Sequence, residues 1–437
     1  MERAVDQELT RWKQDQQRKV LLVRGARQVG KTYSIRKLGL GFKNFVEVNF
    51  EEIPGVKTFF EKSLNPHELC EKLSIYFKTP LKPGQTLLFL DEIQACPNAI
   101  RSLRFFYEKM PELHVVAAGS LLEFALEEIP SFAVGRIKSL FMYPMTFSEF
   151  LIAAGEERLE KLILKSSPDN PMDPVLHEIT LDKLKIFQLI GGMPAVVKTY
   201  LEEKDLALCQ EVIDDILTTI KDDFAKYKKK FPVVRLQEVF DSIVYQSGNK
   251  FKYSNISGEK CQVYKDALEL LVKAGLAHKV YHTAARGVPL GAQLDDKKFK
   301  VLLLDTGIFQ RVLGLDISSY IVSDFSSIIN KGNLAELFVG LELIAHGSPR
   351  LHPELYYWHR EARSSNAEVD YVISREGAVI PIEVKSGSRG QMQSLHIFLS
   401  ERNLAQGIRI SGENFSGYDK IKTFPLYSIK NILHFFR

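Results

Sequence analysis

Eight consecutive residues near the start of the chain restrict its fold more than any other feature. Gly25-Ala26-Arg27-Gln28-Val29-Gly30-Lys31-Thr32 match the P-loop spacing, two glycines around four residues and then Lys-Thr, in full. An apolar run, Val20-Leu21-Leu22-Val23, leads in, and a helical pattern begins at Lys31. A strand that passes through a glycine turn into a helix aims backbone N–H groups at one point, and such a nest binds phosphate oxygens. Gly25 and Gly30 let the backbone curl, and Ala26, Arg27, Gln28 and Val29 line the turn. Lys31 is placed to reach the β- and γ-phosphates of ATP, and Thr32 to ligate Mg²⁺ through its hydroxyl. The competing reading is a glycine-containing turn that binds nothing. It has to treat both the spacing and the leading strand as coincidence.

A loop of this kind works with a carboxylate at the end of a neighbouring strand. The apolar run Thr86–Leu90 delivers Asp91 and Glu92 to such an edge. Asp91 is expected to hold the Mg²⁺ shell, and Glu92 to orient or polarise the attacking water. The runs Lys19–Arg24, Phe45–Phe50, Thr86–Leu90, His114–Ala118 and Ile137–Phe141 alternate with amphipathic helices, the pattern of a parallel sheet covered by helices. Ser120, just past the fourth run, either touches the γ-phosphate or the water, or belongs to a simple turn. Arg136, just before the fifth run, is either a surface arginine or an arginine finger. As a finger it acts in cis or on a neighbour's nucleotide, and the latter implies a homo-oligomer.

The 437 residues exceed the ~250–300 at which a single core stops growing, so several domains are expected. With 45% hydrophobic and 26% charged residues, the composition excludes a mainly disordered chain. A net charge of +4 neither requires nor excludes DNA or another nucleic acid as partner. No apolar run approaches the ~18–20 residues of a membrane span, and the first residues lack a secretory apolar stretch. Cys70, Cys96, Cys209 and Cys261 are scattered singly, without metal or disulfide spacing. These features lead to the expectation of a cytoplasmic protein with no membrane partner.

From Phe150 to about Lys230 the pattern is helical, broken at Gly191-Gly192-Met193-Pro194 by a hinge or a tight helix junction. The run Lys226-Tyr227-Lys228-Lys229-Lys230 is either a solvated helix end or a phosphate grip. From Phe231, three helices precede two strand runs, Ala277–His282 and Lys298–Leu304, the order of a winged helix-turn-helix. Its third helix, Gln262–Ala274, interleaves Lys265 and Lys273 with Asp266 and Glu269, which favours a coupling role over DNA reading.

From about Asn330 a helix (Asn333–His346) precedes strand runs Leu355–His359, Glu368–Ser374 and Val379–Lys385, a helix, and a last strand, Gly407–Ile410. In a strand, residues i and i+2 share a face, so Glu383 and Lys385 point the same way, and pairing of the two strands brings Asp370 beside them. Asp370 and Glu383 could then bind Mg²⁺, with Glu336 completing the shell and Lys385 stabilising an attacking hydroxide. This order with Glu…Asp…Glu-x-Lys resembles the PD-(D/E)xK nuclease fold. Two other readings stay open: a plain Glu383–Lys385 ion pair, and a nuclease-like fold used for regulation or docking. The thirteen basic and eleven acidic residues of the last region make no strong basic face.

The segments GARQVGKT, LFLDEIQ, AAGSLLE, VGR, MYPMTFSEFL, GGMPAVV, EVDYVI and PIEVKSG together resemble the prokaryotic ATPases that join an N-terminal AAA-type domain to a C-terminal domain called DUF4143. The resemblance spans nearly the whole chain and implies ATP binding and hydrolysis. The expected fold is α/β and multidomain: a P-loop AAA-type ATPase core (1–150), a helical lid (151–230), a winged helix (231–329) and a restriction-endonuclease-like domain (330–437). Two functions follow. In one, nucleotide state controls a nuclease-like domain acting on DNA; in the other, the chain is a nucleotide-gated regulatory or protein-interaction switch whose nuclease-like domain does not cleave.

Overall fold

The computed structural model describes residues 1–120, 122–127, 135–227, 232–256, 261–318, 331–360, 367–387 and 392–435. The chain divides into two compact units, the first built mainly from residues 1–143 and the second from most of the remainder. Lys228, Lys229 and Lys230, part of the basic run noted above, lie outside the described residues.

The first unit contains strands β1 (Val20–Arg24), β2 (Asn44–Asn49), β3 (Thr86–Asp91), β4 (His114–Ala118) and β5 (Ile137–Phe141). Helices α1 (Ala4–Gln14), α2 (Lys31–Gly39), α3 (Lys57–Lys62), α4 (Pro66–Tyr76), α5 (Pro97–Lys109) and α6 (Leu122–Glu127) alternate with them. All the strand pairings are parallel and the order is β2-β3-β4-β1-β5. Strands β3 and β4 are buried along their whole length, which explains their unbroken apolar runs. Val20, Leu22, Leu88, Leu90 and Val115 from the sheet meet Ile100, Leu103 and Phe106 of α5 in one core.

Buried within this unit, His114 opens β4. Its ring meets Trp12 and Phe42 edge-on, and its Nε2 lies 3.2 Å from the Lys13 carbonyl oxygen. Burial, with the nearby Arg18 charge, pushes the imidazole down from its ordinary 6.5 to about 4. The unfolded chain therefore takes up a proton below pH 6.5 that the folded unit refuses until about pH 4. Stability is at its full value above pH 6.5 and falls as pH drops through this window, by at most about 3 kcal/mol from this group. Urea titrations between pH 4 and 8 are expected to show a shallower acid loss for His114→Phe than for the wild type.

The second unit begins with helices α7 (Phe147–Ala153), α8 (Glu157–Lys165), α9 (Pro174–Ile190), α10 (Pro194–Glu203), α11 (Leu206–Asp223), α12 (Val233–Tyr245) and α13 (Cys261–Lys273). Strands β6 (Ala277–Thr283) and β7 (Leu294–Leu303) and helices α14 (Thr306–Val312) and α15 (Lys331–Ala345) follow. Next come β8 (Leu355–His359), β9 (Glu368–Arg375), β10 (Ala378–Val384), α16 (Gln393–Glu401), β11 (Gly407–Ser411), β12 (Ser416–Tyr418), β13 (Ile421–Pro425) and α17 (Ile429–Phe435). Among the described residues these strands form one mixed sheet, β12-β13-β11-β10-β9-β8-β6-β7. Glu376 and Gly377, both at positive φ, turn β9 tightly into β10.

One sequence expectation changes here, and one open alternative is narrowed. The β6–β7 hairpin, expected within a winged helix-turn-helix, is part of the larger sheet, because β6 also pairs in parallel with β8 through Val280–Leu355 to His282–Tyr357. The Gly191-Gly192 break is a tight junction, not a hinge. The buried Asp305 accepts hydrogen bonds from the Gly192 N–H (2.6 Å) and the Ile308 N–H (3.0 Å), locking the end of α9 to the start of α14. Among the described residues no helix is long and apolar enough to cross a membrane.

Candidate functional site

The glycine loop follows β1 and ends at the first residue of α2. Gly25 has φ +143°, and a Cβ there would lie 2.2 Å from the Met142 carbonyl oxygen. Gly30 caps α2 with φ +95°. Both positions therefore need glycine for a physical reason. Arg3, which precedes α1, clamps the loop from behind: its guanidinium donates to the carbonyls of Val29 (2.9 Å) and Tyr143 (2.8 Å).

Lys31 folds over the loop, and its Nζ donates to the carbonyls of Gly25 (3.0 Å) and Ala26 (2.7 Å). Burial pushes its ammonium down to about 8, although Glu92 and Asp91 pull the other way. Thr32 Oγ1 donates to Asp91 Oδ2 at 3.0 Å, joining the helix start to the end of β3. Burial raises Asp91 to about 6, opposed by the Thr32 bond. Glu92 has a left-handed backbone (φ 47°, ψ 44°); its N–H donates to Asp91 Oδ1 (3.0 Å), and its Oε2 accepts from Gln94 Nε2 at 2.5 Å.

Sheet register decides the other first-unit expectations. Val23 is level with Ala118, and Leu90 with Ala117, so Gly25, Ser120 and Asp91 all lie at the carboxyl edge of the sheet. The acidic strand is not next to β1 as expected: β4 lies between them, and Ser120 lies just beyond its end. Arg136 is at the opposite edge, because β5 runs parallel to β1 and Ile137 pairs with Val20. Five residues at ~3.3 Å each separate its level from the loop, so an arginine finger in cis is excluded. Its Nε donates instead to Glu108 of α5 at 2.5 Å.

In the second unit, Glu383 and Lys385 share a face as expected and form an ion pair at 2.7 Å. Asp370 Oδ2 accepts from the Val384 N–H (2.8 Å), which places it beside β10. The expected metal shell of Glu336, Asp370 and Glu383 does not form around an open position. Lys300, fully buried on β7, sends its Nζ between the carboxylates: 2.8 Å to Glu336, 2.5 Å to Glu368 and 3.8 Å to Asp370. The ammonium lies 5.4 Å from the centre of the Tyr357 ring. Among the described residues no group of three or more His, Cys, Asp or Glu side chains is arranged to hold a metal ion.

Family models match the chain in three places: an AAA domain over residues 17–151, a domain of unknown function (DUF8612) over 181–319, and a domain of unknown function (DUF4143) over 331–429. The chain carries an AAA domain and a DUF4143 domain. The Walker-type ATPase paby2304 of Pyrococcus abyssi is similar in structure, with 15% identity and a TM-score of 0.47 over 72% of this chain and 96% of that one. The Orc1 protein of Aeropyrum pernix, solved in complex with DNA, gives 14% identity and a TM-score of 0.30 over 73% and 94%. Domain III of the replication initiation protein DnaA of Thermotoga maritima gives 14% and 0.25 over 43% and 81%. No curated protein matches the chain.

The AAA domain is an ATPase-like P-loop domain. Sequence reasoning missed four of the residues that shape the two sites. Arg3 lies in no motif, and Gln94, the last residue of LFLDEIQ, was given no role of its own although it lies two residues past the acidic pair. Lys300 gave one signal, a charged residue inside the apolar run Phe299–Leu304, where a buried charge requires partners. Glu368, which alternates with Asp370 on β9 and opens the EVDYVI segment, was given no role of its own.

Proposed function

We propose that the chain is a Mg²⁺-dependent ATPase whose nucleotide state sets the activity of its DUF4143 domain, and that this domain binds a partner without cleaving nucleic acid. The observation that carries the ATPase reading is the 3.0 Å hydrogen bond from Thr32 to Asp91 at the mouth of the loop. A hydroxyl and a carboxylate are the hard oxygen donors that Mg²⁺ takes from a protein, so the residues present fit the ion. When bound it supplies neutralising charge across the β- and γ-phosphate oxygens. The loop amides and Lys31 bind and orient the triphosphate, Glu92 draws the proton from the attacking water, and Ser120 faces the same edge.

For the DUF4143 domain, the order α15, β8, β9, β10, α16, β11, with β11 parallel to β10, supports a nuclease-like fold. Lys300 among the carboxylates favours the reading without cleavage. The test is ATP turnover by the full chain with and without EDTA, in the presence of plasmid DNA and of RNA. Turnover that stops with EDTA, beside intact nucleic acid, is expected. Cutting that disappears in Asp370→Ala would transfer the conclusion to the nuclease reading, and no turnover at all would remove the ATPase one.

A further inference from the structure

The carboxylates expected to hold a metal hold an amine instead, and the amine is not one the nuclease-like pattern requires. Lys385, the lysine of that pattern, is engaged with Glu383. Lys300 comes from a different strand, 36 residues before Glu336 and on the edge of the sheet. Its side chain is fully enclosed, and its ammonium meets Glu336 of α15 together with Glu368 and Asp370, which share one face of β9. An ammonium offers three donors and one positive charge to oxygen ligands, so it can satisfy the groups that would otherwise coordinate a hard cation. Burial alone would discharge Lys300, but the carboxylates of Glu336, Asp370 and Glu368 outweigh it and hold the amine above its ordinary range. The same set explains why the buried Glu336 and the half-buried Glu368 and Asp370 persist side by side: Lys300 is a cationic neighbour of all three. One oxygen near the cluster lacks a protein partner, Glu383 Oε2, which is buried with no hydrogen bond.

We propose that Lys300 is the resident cation of this cluster, standing where a divalent metal would otherwise bind, so that the DUF4143 domain takes no divalent ion at Glu336, Asp370 and Glu383. The inference concerns the second unit alone and does not depend on the nucleotide reading. Replacing the amine by a thioether of similar length removes the ammonium that Glu336, Glu368 and Asp370 share, and a divalent cation then binds them.

The probe is Mn²⁺, added to nucleotide-free full-length protein and followed by calorimetry and by the loss of free-ion paramagnetic resonance signal. Wild type and Asp370→Asn are expected to bind the same number of Mn²⁺ ions. Lys300→Met is expected to gain one ion per chain, at least tenfold tighter than any site of the wild type, and Lys300→Met with Asp370→Asn to lose it again. A wild-type site that vanishes with Asp370→Asn overturns the proposal, as does a folded Lys300→Met protein that gains none. If Lys300→Met does not fold, the wild type and Asp370→Asn decide between them: identical isotherms sustain the proposal, and a site lost with Asp370 ends it. ATP turnover by the wild type is read separately, so a failure of the P-loop assignment leaves this result interpretable.

Discussion

Lys31→Ala is expected to lower ATP turnover by a factor of about 10²–10³, the usual loss when one preorganised charge at a reacting oxyanion is removed. The structure explains both the size and the pH dependence of the effect. The Lys31 ammonium is buried and held by two carbonyl oxygens, with Asp91 and Glu92 close enough to raise its affinity for a proton but not bonded to it. Its charge is thus waiting for an anion. At about 8, the free ammonium is partly neutral under mildly alkaline conditions. Triphosphate oxygens beside it favour the charged form, so ATP binding near pH 8 is expected to take up a fraction of a proton. Calorimetry in two buffers of different ionisation enthalpy reads that uptake. In Lys31→Met it is expected to vanish along with turnover. The variant should be at least as stable to urea as the wild type, since it no longer buries a charge whose bonds are to carbonyls alone. Turnover within a few-fold of wild type, or proton uptake that survives the substitution, would dissociate Lys31 from the phosphates.

That site was legible because its chemistry is contiguous. Eight residues specify a turn, and the turn specifies where its amides point. Asp91 was legible for a related reason: an apolar strand followed by an acid places the acid at the sheet's carboxyl edge, wherever the strand lies. The lateral order was not. Nothing between Gly25 and Asp91 states that β4, later in the chain, inserts between β1 and β3. Arg136 shows how register narrows an open choice. In an all-parallel sheet, residues that follow a strand reach the site and residues that precede one do not. Arg136 precedes β5, and the Val20–Ile137 pairing puts it at the far edge.

The second unit was less legible because its cluster is assembled from three distant stretches. Local alternation shows that Glu383 and Lys385 share a face, and that Glu368 and Asp370 share another. It cannot show that β7, through β6, joins the same sheet as β8 and β9, and only that pairing brings Lys300 to Glu336 and Glu368. The last elements, β12, β13 and α17, left little trace in the sequence. At three and seven residues, β12 and α17 are too short for an alternating or helical period to declare itself.

Glu92→Gln is expected to abolish measurable turnover while leaving ATP affinity within about threefold, because in the proposed mechanism the carboxylate acts on the water and not on the triphosphate. A positioned general base contributes about 10²–10⁴ in rate. Glu92 is set at the turn between β3 and the following short helix by its left-handed backbone, and its own N–H fixes Asp91. Its side chain is not free: Gln94 donates to it at 2.5 Å. On that reading Gln94 acts through Glu92 as a positioning residue, and its removal separates orientation from chemistry. Gln94→Ala is expected to lower kcat about tenfold with KM unchanged, and Gln94→Asn to recover little, since a shorter amide cannot span the same distance. Fluorescent-nucleotide binding with single-turnover hydrolysis distinguishes the two variants: Glu92→Gln should hold unhydrolysed ATP, whereas Gln94→Ala should hydrolyse what it holds, slowly. If Glu92→Gln turns ATP over as the wild type does, the proton goes elsewhere, and the acidic pair serves the metal through Asp91 alone.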